Sequence, residues 1–330
     1  MEEPIIYIYL ESDSPGLVQD ATLYSIYIKN SKIITKPEEI INKNYYLLFI
    51  ERIEEIDEKY FLNSKKNIMM VNIDLFITTN LLTKYINLYI CKTKYTENCL
   101  NDLISKKKIN EAKLLFTKHT TLPDNLYRHD IKKNYKYFLH SAGKSHFKNT
   151  YILIMTWLKY KLPPLVITCY LRCFNHMMRK LSEKNIKFDL GELKKHNIIF
   201  FNYKLKNEKL IFYKNYCGIH ICTSEKEGYG HYLNEGRIVK AVIITIDGKP
   251  MNEFVKNNIN GYLIPWETET VNEKNFSLIY TFDTKSLYET IIKVLNTDTK
   301  KLKEIGEMGY NFYLTDSEFF IKNIQKIRNE

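Results

Sequence analysis

The sequence predicts an α/β protein built from two doubly wound, parallel-sheet domains. Three observations carry that prediction. Short apolar runs alternate with longer, helix-like polar stretches; the runs fall into two series; and 330 residues suffice for one large or two medium domains, each with its own core. The first series is Ile5–Leu10, Tyr46–Ile50, Ile68–Ile73, Ile86–Cys91 and Ala112–Thr117. The second is Tyr137–His140, Leu165–Thr168, Ile198–Tyr203, Gly218–Thr223 and Ala241–Ile246. Segments such as Asn149–Tyr160 and Glu208–Tyr216 are long enough to be the crossover helices that parallel strands need.

The two series meet near residues 125–135, so the expected domains are 1–132 and 133–315. Residues 316–330 complete a terminal helix, "YNFYLTDSEFFIKNIQKIRNE", with Phe319, Phe320, Ile324 and Ile327 on one side. It is expected to serve in packing and to cross back to the N-terminal domain. No internal repeat, low-complexity tract or flexible linker interrupts the chain.

Composition excludes several classes. A hydrophobic content of 45% rules out a disordered chain. No segment approaches the ~20 uncharged apolar residues of a membrane span; "YILIMTW" is followed at once by Lys159 and Lys161. The opening "MEEPIIYIYLE" is acidic and lacks a basic n-region, so a signal peptide is not expected and a cytoplasmic location is. The cysteines, 91, 99, 169, 173, 217 and 222, sit mostly in apolar stretches and are expected to be reduced and buried. Cys169 and Cys173 have the wrong spacing for a zinc knuckle. The net charge of +11 is spread along the chain, with no run longer than "KKK" at 106–108. Abundant Lys, Asn, Ile and Tyr also fit an AT-rich genome. The charge therefore does not identify a nucleic-acid binder, although it suits anionic phosphates or a membrane surface.

Three segments fall where parallel α/β sheets bind ligands, at the carboxyl ends of strands. "LESDSPGL", Leu10 to Leu17, follows the first strand, and Gly16 would allow close backbone approach. "FLHSAGKSHFKNT", Phe138 to Thr150, contains Gly143-Lys144-Ser145, which looks like the end of a Walker A loop; Phe138 stands where that motif needs Gly, so the P-loop reading fails. What remains is a strand, a small-residue turn, Lys144 and Lys148, and a helix start at Asn149 or Thr150. Exposed helix-end N–H groups with two lysines make an anion site, against the alternative of two solvated surface lysines.

The third segment is "CTSEKEGYGHYLNEG". Gly228 and Gly230 would let backbone N–H groups face a ligand, and Glu235 falls a little over one turn into the next helix, where its carboxylate suits the two hydroxyls of a ribose. Glu227, on the loop, would reach another part of the same ligand. "AVIITIDGKPMNEFV" then supplies a strand, a Gly-Pro turn and Glu253, and "NGYLIP" closes the segment.

Together these residues resemble retaining GT-B glycosyltransferases of the family-four type, the glycosyl transferases group 1. There, a Glu, seven residues and a second Glu open the donor-binding helix, as in "EGYGHYLNE". The likeness is good from Phe138 to Pro265 and rests on layout alone in the N-terminal half. It implies the GT-B fold, two Rossmann-like doubly wound domains facing each other across a cleft, with the acceptor on the N-terminal side. It also implies residue roles. Lys144 and Lys148 would neutralise the diphosphate, beside Ser145. Glu227 would contact sugar hydroxyls, the backbone of Tyr229, Gly230, His231 and Tyr232 would cradle sugar and phosphates, and Glu235 would hold the ribose. Tyr203 and Lys204 would lie at the base pocket, Gly16 on a loop closing over the diphosphate, and His119 against the donor sugar. One departure stands out: the family reads Glu-Ala-Met and then a helix-ending Gly, whereas this chain reads "EGRIVKAV", with Gly236, Arg237 and Lys240.

The resemblance implies retention of configuration, a hexosyl donor carried on UDP, GDP or dTDP, no cofactor and no metal. The acceptor, a glycan, protein or lipid, is not readable, nor is the oligomeric state. No transmembrane segment or specific nucleic-acid partner is expected; peripheral membrane contact stays open. Competing readings are a noncatalytic sugar-nucleotide-binding protein, a GT-B-fold epimerase or phosphorylase, and a nucleic-acid-binding module favoured only by charge.

Overall fold

The computed structural model describes residues 3–54, 56–123, 126–186 and 190–330. In the first half, β1 (Ile5–Tyr9), α1 (Pro15–Tyr27), β2 (Ser31–Ile34), β3 (Tyr45–Ile50), α2 (Glu58–Asn63), β4 (Asn67–Val71), β5 (Leu88–Cys91), α3 (Lys94–Ser105) and β6 (Lys113–Phe116) follow one another. In the second come β7 (Asn134–Gly143), α4 (Thr150–Lys159), β8 (Leu165–Cys169), α5 (Leu171–Glu183), α6 (Leu190–Lys195), β9 (Ile198–Phe201), α7 (Asn207–Tyr216), β10 (Cys217–Cys222), α8 (His231–Ile238), β11 (Val242–Ile246), α9 (Met251–Phe254) and β12 (Gly261–Ile264). An antiparallel hairpin, β13 (Thr268–Val271) and β14 (Leu278–Thr281), precedes α10 (Thr284–Leu295) and α11 (Thr299–Ile324).

The strands form two six-stranded sheets, ordered β2-β1-β3-β4-β5-β6 and β12-β11-β10-β7-β8-β9, parallel throughout. Inner strands such as β4, β8, β10 and β11 are buried along their whole length, which is why they read as continuous apolar runs and not as alternating ones. Every strand expected from sequence is present, with shifted ends. β7 is the most extended of these, running on through Ser141 and Ala142 to Gly143. The short edge strands β2 and β12 and the hairpin were not expected. β2 is half exposed and β13 fully exposed, so neither carries the apolar run that marks a buried strand.

α11 ties the halves together. Its Leu302 and Ile305 belong to the core of the second sheet, while Phe320 and Ile324, with Ile327 just beyond, belong to a core with Ile6, Ile8 and Tyr24 of the first. Twenty-six helical residues span about 39 Å, enough to bridge both. Phe319 lies at the edge of that contact, partly exposed against Phe116. A second tie is Glu253 of α9, whose two carboxylate oxygens accept from the backbone N–H groups of Lys94 and Tyr95 at 2.9 and 2.8 Å. These are the unpaired donors of the first turn of α3, where negative charge is also favoured by the helix dipole. All six thiols are free and buried.

Candidate active site

The carboxyl ends of β7 and β10, neighbours in the second sheet, carry the two loops expected to hold a ligand. The first turns sharply: Gly143 and Asn149 both adopt the left-handed backbone region, at φ 59° and 54°. Asn149 precedes α4, and its side-chain amide donates to the Thr223 carbonyl at 3.1 Å. The Thr223 hydroxyl donates to the Lys148 carbonyl at 2.9 Å, and Glu225 N–H donates to the Phe147 carbonyl at 2.9 Å. The two loops are thus stitched into one platform. Lys148 is held on it, its ammonium 3.6 Å from the centroid of the Tyr232 ring and so over the first turn of α8. Lys144 extends into solvent and Ser145 is half-buried at the turn.

Across the platform, Gly230 (φ 89°) caps α8 in a conformation that suits glycine, and its lack of a side chain leaves the first N–H groups of the helix without a side-chain cap from that position. Glu227 accepts a hydrogen bond from the Ser224 hydroxyl at 2.6 Å; that hydroxyl also lies 2.7 Å from Tyr232 Oη. Opposite stand Glu51, Asn72 and Asp74 from the ends of β3 and β4. A Cβ on Gly228 would lie 2.4 Å from the Asn72 amide oxygen, so only glycine permits this closeness between the halves. Burial, with Glu227 and Glu51 nearby, pushes the Asp74 carboxyl up to about 7. Burial likewise raises Glu51, against the hydrogen bond from Asn72.

A buried polar cluster centres on Asp20 of α1. One carboxylate oxygen is 2.6 Å from His119 Nε2 and 2.9 Å from His231 Nε2; the other is 3.1 Å from the Lys92 ammonium. Burial pushes the Asp20 carboxyl up, but Lys92, His119 and His231 together outweigh it and hold the group well below the usual range. Burial also lowers His119 to about 4, against the pull of Asp20, so this ring is neutral at neutral pH. His231 Nδ1 lies 3.0 Å from the Thr121 hydroxyl, and the site of a Cβ on Gly16 is 3.8 Å from the His231 ring. The start of α8 is therefore gripped by the first half of the molecule. His119 does not face the cleft: it is 1% exposed and enclosed by Tyr24, Tyr229, His231 and Phe320. Its Nε2 is engaged with Asp20, and its ring packs edge-on against Tyr229. Asp20, His119 and His231 have ligand atoms within 4.8 Å of one another, as a metal site requires. Lys92 already supplies the compensating cation, and a divalent ion sharing that carboxylate would face its ammonium in a low-dielectric setting.

Glu235 lies on the side of α8 facing β7, half-buried, with its carboxylate 2.8 Å from the Lys214 ammonium of α7. Ser141, Tyr232 and His220 line a small cavity beside that pair. Tyr203 and Lys204 follow β9 at the sheet edge and are exposed, beyond β8 from this centre. The departures after Glu235 have structural causes. A Cβ on Gly236 would meet Ile243 Cδ1 at 2.5 Å and His220 Nδ1 at 2.8 Å, so α8 sits too close to the sheet for alanine. Arg237 is 1% exposed and bonds Asn234 Oδ1, the Gly309 carbonyl and Asp316 Oδ2. Lys240 takes the left-handed conformation (φ 58°) that the family gives to Gly, and its ammonium pairs with Glu307 at 2.8 Å.

Sequence reasoning missed Asp20, Lys92, Asp74 and Lys214. The first two left a trace: an Asp inside the apolar helix "PGLVQDATLYSIY" and a Lys directly after the buried strand "LYIC". Lys214 and Asp74 left none, because each acquires its meaning from a partner distant in sequence.

Residues 179–275, which include Glu227 through Glu235, match the family model described as glycosyl transferases group 1. No match to a curated protein was found. Similar solved structures include Anabaena Alr3699/HepE in complex with UDP and glucose, at 13% identity over 98% of both chains with a TM-score of 0.66. A glycosyltransferase from Rickettsia africae ESF-5 is 12% identical over 100% of this chain and 98% of its own, with a TM-score of 0.67. A UDP-forming α,α-trehalose-phosphate synthase from Burkholderia xenovorans is 10% identical over 88% and 75%, with a TM-score of 0.63. The fold is GT-B, and the likeness to the glycosyl transferases group 1 read from the sequence holds over the matched stretch.

Proposed function

We propose that this protein transfers a glycosyl group, a hexose, from a nucleoside-diphosphate sugar to an acceptor hydroxyl, with retention of configuration and without a metal ion, in the cytoplasm. One observation carries the reading: the Glu227–Glu235 helix start, inside the stretch that matches the family, is stitched to the Lys148 loop, which precedes that stretch, into one platform at the ends of adjacent strands. The solved relatives carrying UDP favour a uridine donor.

In this reading the α8 N-terminus and Lys148 receive the diphosphate, Glu235 the ribose and Glu227 the sugar hydroxyls. Tyr203 and Lys204 lie toward the base, and Lys144 closes from solvent. Reaction breaks the bond between the anomeric carbon and the phosphate oxygen and forms one to the acceptor oxygen. Negative charge grows on the leaving diphosphate, which in this reading Lys148 and the helix N–H groups face; groups aimed in advance at developing charge lower the barrier most. The acceptor proton passes to the departing phosphate oxygen on the same face, so no protein general base is required. Gly228 against Asn72 excludes water that would otherwise hydrolyse the donor.

Supplying UDP-glucose and following UDP release tests the reading: release above that of Lys148→Ala supports it. Binding without release in the presence of a panel of hydroxyl acceptors would favour the noncatalytic alternative.

A further inference from the structure

A cavity of about 440 Å³ opens between the two halves, and it shares none of the residues assigned above to the donor. Its volume falls within the range of small-molecule sites. One wall comes from the ends of β5 and β6 and the start of α3; the other comes from the segment around α9. Tyr95, Phe116 and Phe254 give it an aromatic lining, and Tyr229 of the donor loop packs edge-on against Phe254.

The charges around it do not cancel. Lys92 is paired with Asp20, Lys94 with Glu97, and Lys118 shares Asp316 with Arg237. Glu253 is committed to the backbone of α3. Lys249 and Lys256, on either side of α9, have no salt-bridge partner among the described residues; the Lys256 ammonium donates to the Asn252 carbonyl at 2.9 Å. Glu253 keeps its negative charge and offsets the cation left over where Lys118 and Arg237 share Asp316, so Lys249 and Lys256 leave a surplus of two positive charges, the charge of one phosphomonoester. Aromatic rings beside them suit the apolar faces of a sugar ring, with Asn98 at the wall to bond hydroxyls.

We propose that this cavity binds a small phosphorylated saccharide, its phosphate on Lys249 and Lys256 and its ring against Phe116 and Phe254. The ligand is either an acceptor substrate or an effector that is not consumed, and both present the same chemistry to the site.

The test is calorimetric titration of the full chain with glucose 6-phosphate as probe, compared with glucose and with inorganic phosphate. Glucose 6-phosphate should bind saturably and more tightly than either fragment. The Lys249→Ala/Lys256→Ala double variant should weaken it by about tenfold or more, as expected for the loss of charged hydrogen bonds, while UDP binding is unchanged. Both lysines are exposed, so the double variant should fold. No saturable binding of glucose 6-phosphate, or equal binding by the double variant, overturns the proposal, whatever the outcome for UDP. Mass spectrometry after incubation with UDP-glucose separates the sources: a glycosylated sugar phosphate marks an acceptor, and unmodified sugar phosphate with altered UDP release marks an effector.

Discussion

His231 Nε2, in the first turn of α8, lies 2.9 Å from a carboxylate oxygen of Asp20, on the first helix of the other half of the molecule. The helix end proposed to receive the diphosphate is thereby fixed to the opposite domain through a carboxylate that is itself buried and charged. Lys92, 2% exposed, balances it.

Asp20→Asn should therefore destabilise the protein strongly. It leaves the Lys92 ammonium buried without its counter-charge, a loss of about 3–5 kcal/mol. Adding Lys92→Met should recover part of that loss, and thermal denaturation of the two single variants and the double variant measures the coupling. Additive losses would mean that the pair does not act as a unit.

Asp74 predicts an opposite and pH-dependent effect. Its carboxyl is raised from the ordinary value to about 7, so the folded state holds a proton that the unfolded chain has already released between about pH 4 and 7. The stability associated with that proton is present below pH 4 and is lost as pH rises through 7. Asp74→Asn, which mimics the protonated form, should be more stable than the parent at pH 8 by about 1–3 kcal/mol, with the difference vanishing near pH 4. Denaturant midpoints of both proteins across that range check it.

Gly236→Ala would restore the residue usual in the resembled family, yet it should destabilise by about 1–3 kcal/mol, since the added methyl overpacks α8 against Ile243 and His220. A melting temperature unchanged or raised in the variant would show that the sheet yields.

Lys148 and Lys144 should separate. Lys148 is seated on Tyr232 beside the helix end, whereas Lys144 is exposed and has no salt bridge among the described residues. Lys148→Ala should lower turnover by roughly two to three powers of ten, and Lys144→Ala by roughly one, in the range seen on removing one charge-stabilising donor. Steady-state rates of UDP release from UDP-glucose decide the order.

Much of this architecture was legible because inner parallel strands are buried on both faces and announce themselves as apolar runs. The glycines at 228 and 230 likewise marked a close approach between the halves and a left-handed turn before α8, since both demand glycine. What stayed hidden depends on contacts between the halves. Nothing local to Asp20 names His231 as its partner, nor does anything local to His119 name Tyr229 and Phe320 as its neighbours. Edge strand β2 and the hairpin lack a buried apolar stretch. Lys240 in a left-handed position is explained only by Glu307, on a helix far along the chain.

The central claim is that Glu235 holds the ribose while Glu227 touches the transferred sugar. Calorimetric titration of UDP and UDP-glucose into Glu235→Gln and Glu227→Gln tests it most directly. Glu235→Gln should weaken UDP and UDP-glucose alike, by roughly 1.5–3 kcal/mol for one charged hydrogen-bond partner. Glu227→Gln should leave UDP affinity nearly unchanged and lower turnover, because its contacts are to the group in flight. Equal loss of UDP binding in both variants, or no loss in either, would contradict the assignment.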